Sequence, residues 1–406
     1  MELIVENKDF LIIGAGIVGL SIAKELKSRY PKSQVLVLEK EVKPGLHSSG
    51  RNSGVLHSGI YYQPNSIKAQ VCRQGSIEMA EYCVERKLPI SKIGKILLPV
   101  NLQDASQLDI LEQRAFQNGI VVERLDELSL REMEPEARSA TGEALFVPGT
   151  SVADSVAVMR TFVTECVNRG IEIRCSAVIT SVDPASKKIL LLNGSSINYG
   201  HLINAAGLHA DSVSHKFGMG SRYTLLPFKG IYWKLDPNSG LNIKHLIYPV
   251  PDLRVPFLGV HTTTTSDGSI YLGPTAVPAF GRENYHGLEN VTFPELVRIS
   301  RLLIQQTMAG RDGFRRLAWQ EGRRYFKPWF ADAARAILPR LQNKHLLPCD
   351  KVGIRAQMFD KQDKKLVDDF LIERGSSSTH ILNAISPAWT SAFPFARFVI
   401  DNYIEG

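Results

Sequence analysis

The chain has 406 residues, 44% of them hydrophobic, and a formal net charge of +7; that length is more than one ordinary core holds, so two domains are expected. The mild basic balance suits anionic small molecules or an anionic membrane surface, and no zinc finger, basic zipper or aromatic RNA-binding signature comes with it, which argues against nucleic acid as a partner. Five scattered cysteines without a C-x-x-C pair argue against a disulfide framework or a structural zinc site.

Residues 1–9 are polar and acidic, without the basic and apolar regions of a secretory signal. The run Phe10–Ile13 is short, apolar and rich in β-branched residues, and glycines follow at once. Ile17, Leu20, Ile22, Ala23 and Leu26 then change the period from a buried strand to an amphipathic helix. A second strand, Val35–Leu38, ends in Glu39 and completes a β-α-β unit of the kind that builds parallel sheets. Residues 44–65 read as a long irregular loop, and loops of that length are often functional. Helix resumes near Ser66 and runs to about Lys87. Strand and helix signals alternate from Lys92 to Pro148, and Asp154 caps a helix that ends near Gly170. Short strands continue to Asn204. From Leu225 to Thr275 the pattern is an antiparallel sheet. Residues 294–341 are helical and rich in arginine. Strands at 352–358, 367–373 and 379–385 precede a helix from Trp389 to Tyr403. No apolar stretch approaches the ~20 residues a membrane span needs.

The expected fold is α/β. A Rossmann-like β-α-β domain for a dinucleotide is assigned to 1–87, 150–222 and 350–406, and a second, α+β domain on a mostly antiparallel sheet to 88–149 and 223–349. Gly14-Ala15-Gly16-Ile17-Val18-Gly19 spells G-x-G-x-x-G between a strand and a helix. Gly14 permits the tight turn, Gly16 lets a pyrophosphate approach the backbone, and Gly19 lets helix and strand pack closely. The helix N-terminus offers free N–H groups to the phosphates. Glu39, with Lys40 beside it, stands where a carboxylate binds an adenosine ribose. That carboxylate disfavours NADP but does not separate FAD from NAD; the N-terminal position favours FAD.

The segment Ser49-Gly50-Arg51-Asn52-Ser53-Gly54-Val55-Leu56-His57-Ser58-Gly59-Ile60-Tyr61-Tyr62, followed by Ser66-Ile67-Lys68-Ala69, closely resembles the L-2-hydroxyglutarate dehydrogenase/oxidase family, within the D-amino-acid-oxidase-like flavoproteins. Matching stretches recur at Asn204–Leu208, Pro227–Gly230, Ile247–Pro251, Pro256–His261, Leu272–Pro274, Gly353–Gln357, Lys365–Phe370 and Asn383–Ala388. The resemblance implies FAD as cofactor, oxidation of L-2-hydroxyglutarate to 2-oxoglutarate, and a two-domain fold with the flavin at the interface. The chain departs from the family pattern at Arg51, often a His there, in the bulky run 388–395, and at Thr262–Thr265. The second departure leaves the electron acceptor, quinone or oxygen, open.

Oxidising an α-hydroxy acid removes a hydride from Cα, which flavin N5 takes, and a proton from the hydroxyl. The protein must supply a base and anchors for the carboxylates. His57 is the first candidate for the base, since an imidazole titrates near working pH; His261, after the apolar run Phe257–Val260, is the second. Arg355 follows an apolar strand pattern, where a substrate carboxylate or a protein carboxylate would satisfy its guanidinium. Tyr61, Lys68, Tyr248 and Arg254 are further substrate candidates. Beyond the glycine turn, flavin contacts are expected from Arg51, Asn52 and Ser53, from the backbone of Val178 at the adenine, and from Ala206 and Gly207 after a strand. Ala388, Thr390 and Ser391 open the last helix, whose N–H groups could stabilise negative charge on a reduced flavin.

No carboxylates show metal-ligand spacing, so no metal is expected. Phe314–Phe330 mixes five cations with six aromatics; such a segment either lies on an anionic membrane or packs on its own domain. The expected location is the cytoplasm, with peripheral contact to the inner membrane as the alternative. A related enzyme acting on an amino acid or amine, glycerol-3-phosphate oxidation, and a non-catalytic flavoprotein assembly factor are the competing readings.

Overall fold

A computed structural model describes residues 5–253, 257–309 and 314–406. The chain divides into two compact units. One comprises Met1–Arg51, Ser155–Pro227 and Arg355–Gly406; the other comprises Asn52–Asp154 and Phe228–Ile354.

The first unit is built on a sheet that starts with β1 (Val5–Ile13). The helix α1 (Ile17–Arg29) follows, then β2 (Val35–Leu38). β1 pairs in parallel with β2 on one side and with the strand Ser196–Asn204 on the other. That strand in turn pairs in parallel with Ser378–Asn383, so the start and the end of the chain share one sheet, as expected. Parallel strands covered on both faces must be apolar throughout. Leu11, Ile12, Leu36 and Val37 meet that demand and are fully buried. α1 packs on the C-terminal helix Ala392–Tyr403 and on the helix Ser155–Asn168.

The second unit opens with β3 (Val55–Leu56) and α2 (Ile67–Glu85), which Ser66 caps by accepting from the Ala69 N–H. A four-stranded sheet runs in the order Leu246–Pro249, Lys95–Leu98, Ala144–Val147, Glu123–Leu125. Its first pair is parallel, with Leu246 opposite Lys95. The antiparallel sheet expected from Leu225 onward is present: Phe228–Leu235 lies between Ile270–Gly273 and Val277–Pro278, and His261–Thr264 forms the edge.

The domain cuts expected at 150, 222 and 350 fall about five residues later, and two further boundaries differ from the sequence reading. Residues 52–87, assigned to the dinucleotide domain, belong to the second unit. The cause is long-range pairing: β3 is antiparallel to Ser151–Ala153, which also pairs with Ile90–Lys92. Val55, Ile60 and Tyr61 share a core with Leu97, Leu145 and Tyr248. The last helix starts at Ala392 rather than Trp389. Turn hydrogen bonds from Ala388 N to Ile385 O and from Ser391 N to Pro387 O hold the preceding residues out of it. The arginine-rich region is three helices, Phe293–Ala309, Phe314–Arg323 and Lys327–Arg335.

Candidate active site

The first unit holds the nucleotide-binding turn. Gly14 has φ +104°, and a Cβ there would stand 2.5 Å from the Ala205 carbonyl oxygen. A Cβ on Gly19 would stand 2.1 Å from the Gly14 oxygen, so both positions require glycine. Gly16 is the N-cap of α1 and makes no side-chain cap. Ser49 supplies one instead: its Oγ accepts from the Ile17 N–H at 2.9 Å. Glu39 is buried at the end of β2, where Oε2 accepts from the Ala15 N–H and Oε1 from the Glu41 N–H, each at 3.0 Å. A carboxylate has about four acceptor sites, so those for ribose hydroxyls remain after the turn has been tied to the strand. Ala15, Ile17 and Val18 complete the motif; the first two are buried beneath it.

Other expected cofactor residues fall around this turn. Ala205 N donates to Ile13 O, and Ala206 N to the Asn204 side chain, which fixes the strand end that Gly207 follows. Val178 is 41% exposed and its carbonyl accepts from Leu192 N. The Lys40 amine pairs with Glu41 and lies 3.3 Å from His47 Nε2. That pairing with Lys40 is the main cause holding the Glu41 carboxyl below its usual range. Arg51 donates from Nε to the Leu46 carbonyl at 2.8 Å. Ser391 is the N-cap residue of the last helix but makes no side-chain cap, and its buried hydroxyl has no hydrogen-bond partner among the described residues; Ala388 and Thr390 are buried beside it in sequence. A backbone cradle closed to any Cβ, a carboxylate at the strand end and an orphaned hydroxyl at a helix N-terminus fit FAD.

The second unit gathers the candidates for acid–base chemistry. His57 leaves β3 between Gly54 and Gly59, both at positive φ, and its carbonyl accepts from the Cys72 Sγ–H at 3.1 Å. Asn52, with Ser53 next in the chain, opens this segment and accepts from the Gly54 N–H at 2.8 Å. His261 begins the edge strand and is buried. Its Nδ1 lies 2.9 Å from the Gly259 carbonyl. A carbonyl can only accept, so Nδ1 carries a proton, and in the neutral ring Nε2 is the acceptor nitrogen. The His261 ring stacks on Tyr248 at 3.8 Å between centroids and 16° between planes. Tyr61 and Tyr248, both substrate candidates, share one core, and burial pushes the Tyr61 hydroxyl well above its usual range.

Between these tyrosines sits a residue that the sequence reading missed. Lys95 is fully buried, with Nζ 4.5 Å from the Tyr61 ring centroid and 5.5 Å from that of Tyr248. Burial pushes its amine down to about 7, against a smaller upward pull from Cys72. In the sequence it looks like a charge opening the apolar run Ile96–Leu98; only a lysine at the start of a fully buried strand could have raised suspicion.

Lys68 is buried on α2 with Nζ 5.5 Å from the Tyr62 ring centroid. Arg355 ends the strand Leu346–Arg355 and is half-buried. Arg254 lies outside the described residues.

A family model described as FAD dependent oxidoreductase matches residues 9–401. The chain is 34% identical to L-2-hydroxyglutarate dehydrogenase of Escherichia coli (strain K12), covering 97% of this chain and 92% of that one. It is 33% identical to the mitochondrial L-2-hydroxyglutarate dehydrogenase of Homo sapiens, covering 97% and 88%. Its fold is similar to that of L-alpha-glycerophosphate oxidase from Mycoplasma pneumoniae with FAD bound, at TM-score 0.74 and 21% identity over 97% of this chain and 94% of that one. Glycine oxidase from Geobacillus kaustophilus shares the fold at TM-score 0.70 and 15% identity, over 98% and 94%. With a third of its residues shared along nearly its whole length, and with a turn shaped for the cofactor, the chain belongs to the L-2-hydroxyglutarate dehydrogenase family of FAD-dependent oxidoreductases.

Proposed function

We propose that this protein oxidises L-2-hydroxyglutarate to 2-oxoglutarate. The observation that carries the reading is the identity to L-2-hydroxyglutarate dehydrogenases over 97% of the chain. FAD, when bound, supplies the acceptor for the hydride that leaves Cα. The chain supplies the rest. An imidazole takes the hydroxyl proton, and the fixed tautomer of His261 leaves Nε2 as an acceptor for it. His57, on its glycine-flanked segment, is the alternative base. Arg355, Lys68, Tyr61 and Tyr248 are the groups for the two carboxylates, by charge-assisted or hydroxyl hydrogen bonds.

The test is anaerobic addition of each isomer to the yellow protein. Bleaching of the flavin band by the L but not the D isomer supports the reading; a flavin that stays oxidised sinks the substrate and leaves the family standing.

The acceptor is inferred to be a quinone reached from the membrane surface, with oxygen as the other outcome. No helix among the described residues is long and apolar enough to cross a membrane. Trp319, Tyr325 and Phe326 are 69%, 58% and 56% exposed, and the Arg323 guanidinium lies over Trp319 and Trp329. An exposed face of aromatics and cations suits the headgroup layer of anionic lipid, and that supports a cytoplasmic protein in peripheral contact with the inner membrane. Co-sedimentation with anionic vesicles that weakens with salt is expected; no sedimentation at any ionic strength ends the membrane part.

A further inference from the structure

Lys95 occupies a place where an amine is costly. Its strand is buried along its whole length, and the surrounding core is Tyr61, Leu97, Val147, Leu246 and Tyr248. Nζ is fully enclosed and has no hydrogen-bond partner among the described residues. The titratable groups facing it are the Tyr61 and Tyr248 rings and the Cys72 thiol. No carboxylate pairs with it among the described residues. Methionine would fill such a space without that cost, so packing does not explain a lysine here.

The surroundings connect it to the backbone of His57 and to the ring of His261. Cys72, which acts on the charge of Lys95, donates to the carbonyl of His57. Tyr248, beneath the amine, carries the stacked ring of His261. We propose that Lys95 is a positioning residue for the oxidation, a buried amine that holds the His57 and His261 segments in register through Cys72 and Tyr248 and sets the charge behind both rings. A protonated amine there disfavours a second positive charge on either imidazole and keeps the base ready to accept a proton. Its own ionisation near neutrality makes that effect pH-dependent. The inference rests on the reading that one of these imidazoles is the base.

The test uses flavin-loaded Lys95→Met and Lys95→Arg. In Lys95→Met, kcat for L-2-hydroxyglutarate is expected to fall by about 30-fold or more with KM little changed, and the base limb of the kcat/KM profile to move up in pH with the imidazole. Lys95→Arg keeps a charge that does not titrate, so it is expected to recover part of kcat and to return the limb towards its wild-type position. Independently of substrate, NMR titration of 13C-labelled histidine, assigned with single histidine variants, reads the His57 and His261 rings. Both are expected to move up by roughly half a unit or more in Lys95→Met. Ring titrations that stay in place overturn the proposal whatever the activity. Should Lys95→Met not fold, Lys95→Gln removes the charge with a smaller change of polarity, and ring titrations that stay in place in that variant overturn the proposal. If L-2-hydroxyglutarate does not reduce the wild-type flavin, the substrate reading falls alone, because the ring titrations need no substrate.

Discussion

The glycine turn of the first unit and the lysine–tyrosine cluster of the second carry chemistry in opposite ways. In the turn the functional groups are backbone N–H groups, and the side chains matter by being absent from Gly14, Gly16 and Gly19. In the cluster the groups are mostly side chains drawn from distant segments: Tyr61, Cys72 on α2, Lys95, Tyr248 and His261, with His57 tied in through its backbone carbonyl. The turn therefore fails sterically, when any atom is added. The cluster fails chemically, while its fold survives.

The sharpest break is expected at Gly14. An alanine there combines a φ of +104° with a Cβ 2.5 Å from a carbonyl oxygen that the parallel sheet holds in place. Strain of a few kcal/mol on the turn itself is expected to abolish FAD retention, so Gly14→Ala purifies colourless. A yellow protein with normal flavin content would show that the turn is not closed as described.

In the cluster, His57→Ala and His261→Ala should both stay yellow. Loss of the base is expected to cost about 10²–10⁴ in turnover, and loss of the other ring about tenfold or less. Stopped-flow flavin reduction under anaerobic conditions separates the two. Near-normal reduction in both variants would remove the cluster from the chemistry altogether.

Stability against pH sharpens the comparison further, because the units respond in different windows. Lys95 has a folded pKa of about 7 against an ordinary 10.5. The unfolded chain binds the extra proton between those values, so stability falls as pH drops from about 10.5 to about 7, by a ceiling of roughly 5 kcal/mol. In the first unit, burial pushes His201 and His380 down to about 4 from 6.5. Their neutral forms bond to Thr379 and to Ser378. Stability from these rings is present above about 6.5 and is lost as pH falls through about 4. Lys95→Met should remove the upper window and leave the lower. Melting curves from pH 5 to 10 that are parallel for wild type and Lys95→Met would contradict a strained amine.

Legibility in the sequence follows the same division. Gly14–Gly19 and Glu39 were readable because a β-α-β unit is local, so its spacing in sequence is its spacing in space. The placement of 52–87 was not readable, because β3 finds its partner at Ser151–Ala153, and no local pattern announces a pairing that far away. His57, Tyr61, Tyr248 and His261 were picked by residue type and family resemblance, but their grouping in one unit depends on strand order. Lys95 escaped because a lysine at the edge of an apolar run normally faces water, and only the sheet on either side of it shows that it does not.

The smallest effect is expected where the two modes meet, at Glu39, a side chain serving a backbone site. Glutamine keeps one carbonyl oxygen, which can accept from the Ala15 N–H or the Glu41 N–H but not serve both as the carboxylate does. It also loses the charge that strengthens any bond from a ribose hydroxyl. Both changes weaken the site without adding an atom to the turn, so Glu39→Gln should bind FAD with affinity reduced by about tenfold, or roughly 1.4 kcal/mol. Equilibrium titration of the apoprotein with FAD, followed by flavin fluorescence, reads this directly. An unchanged affinity would mean that the glycine backbone alone holds the nucleotide, and that Glu39 serves only to tie the turn to β2.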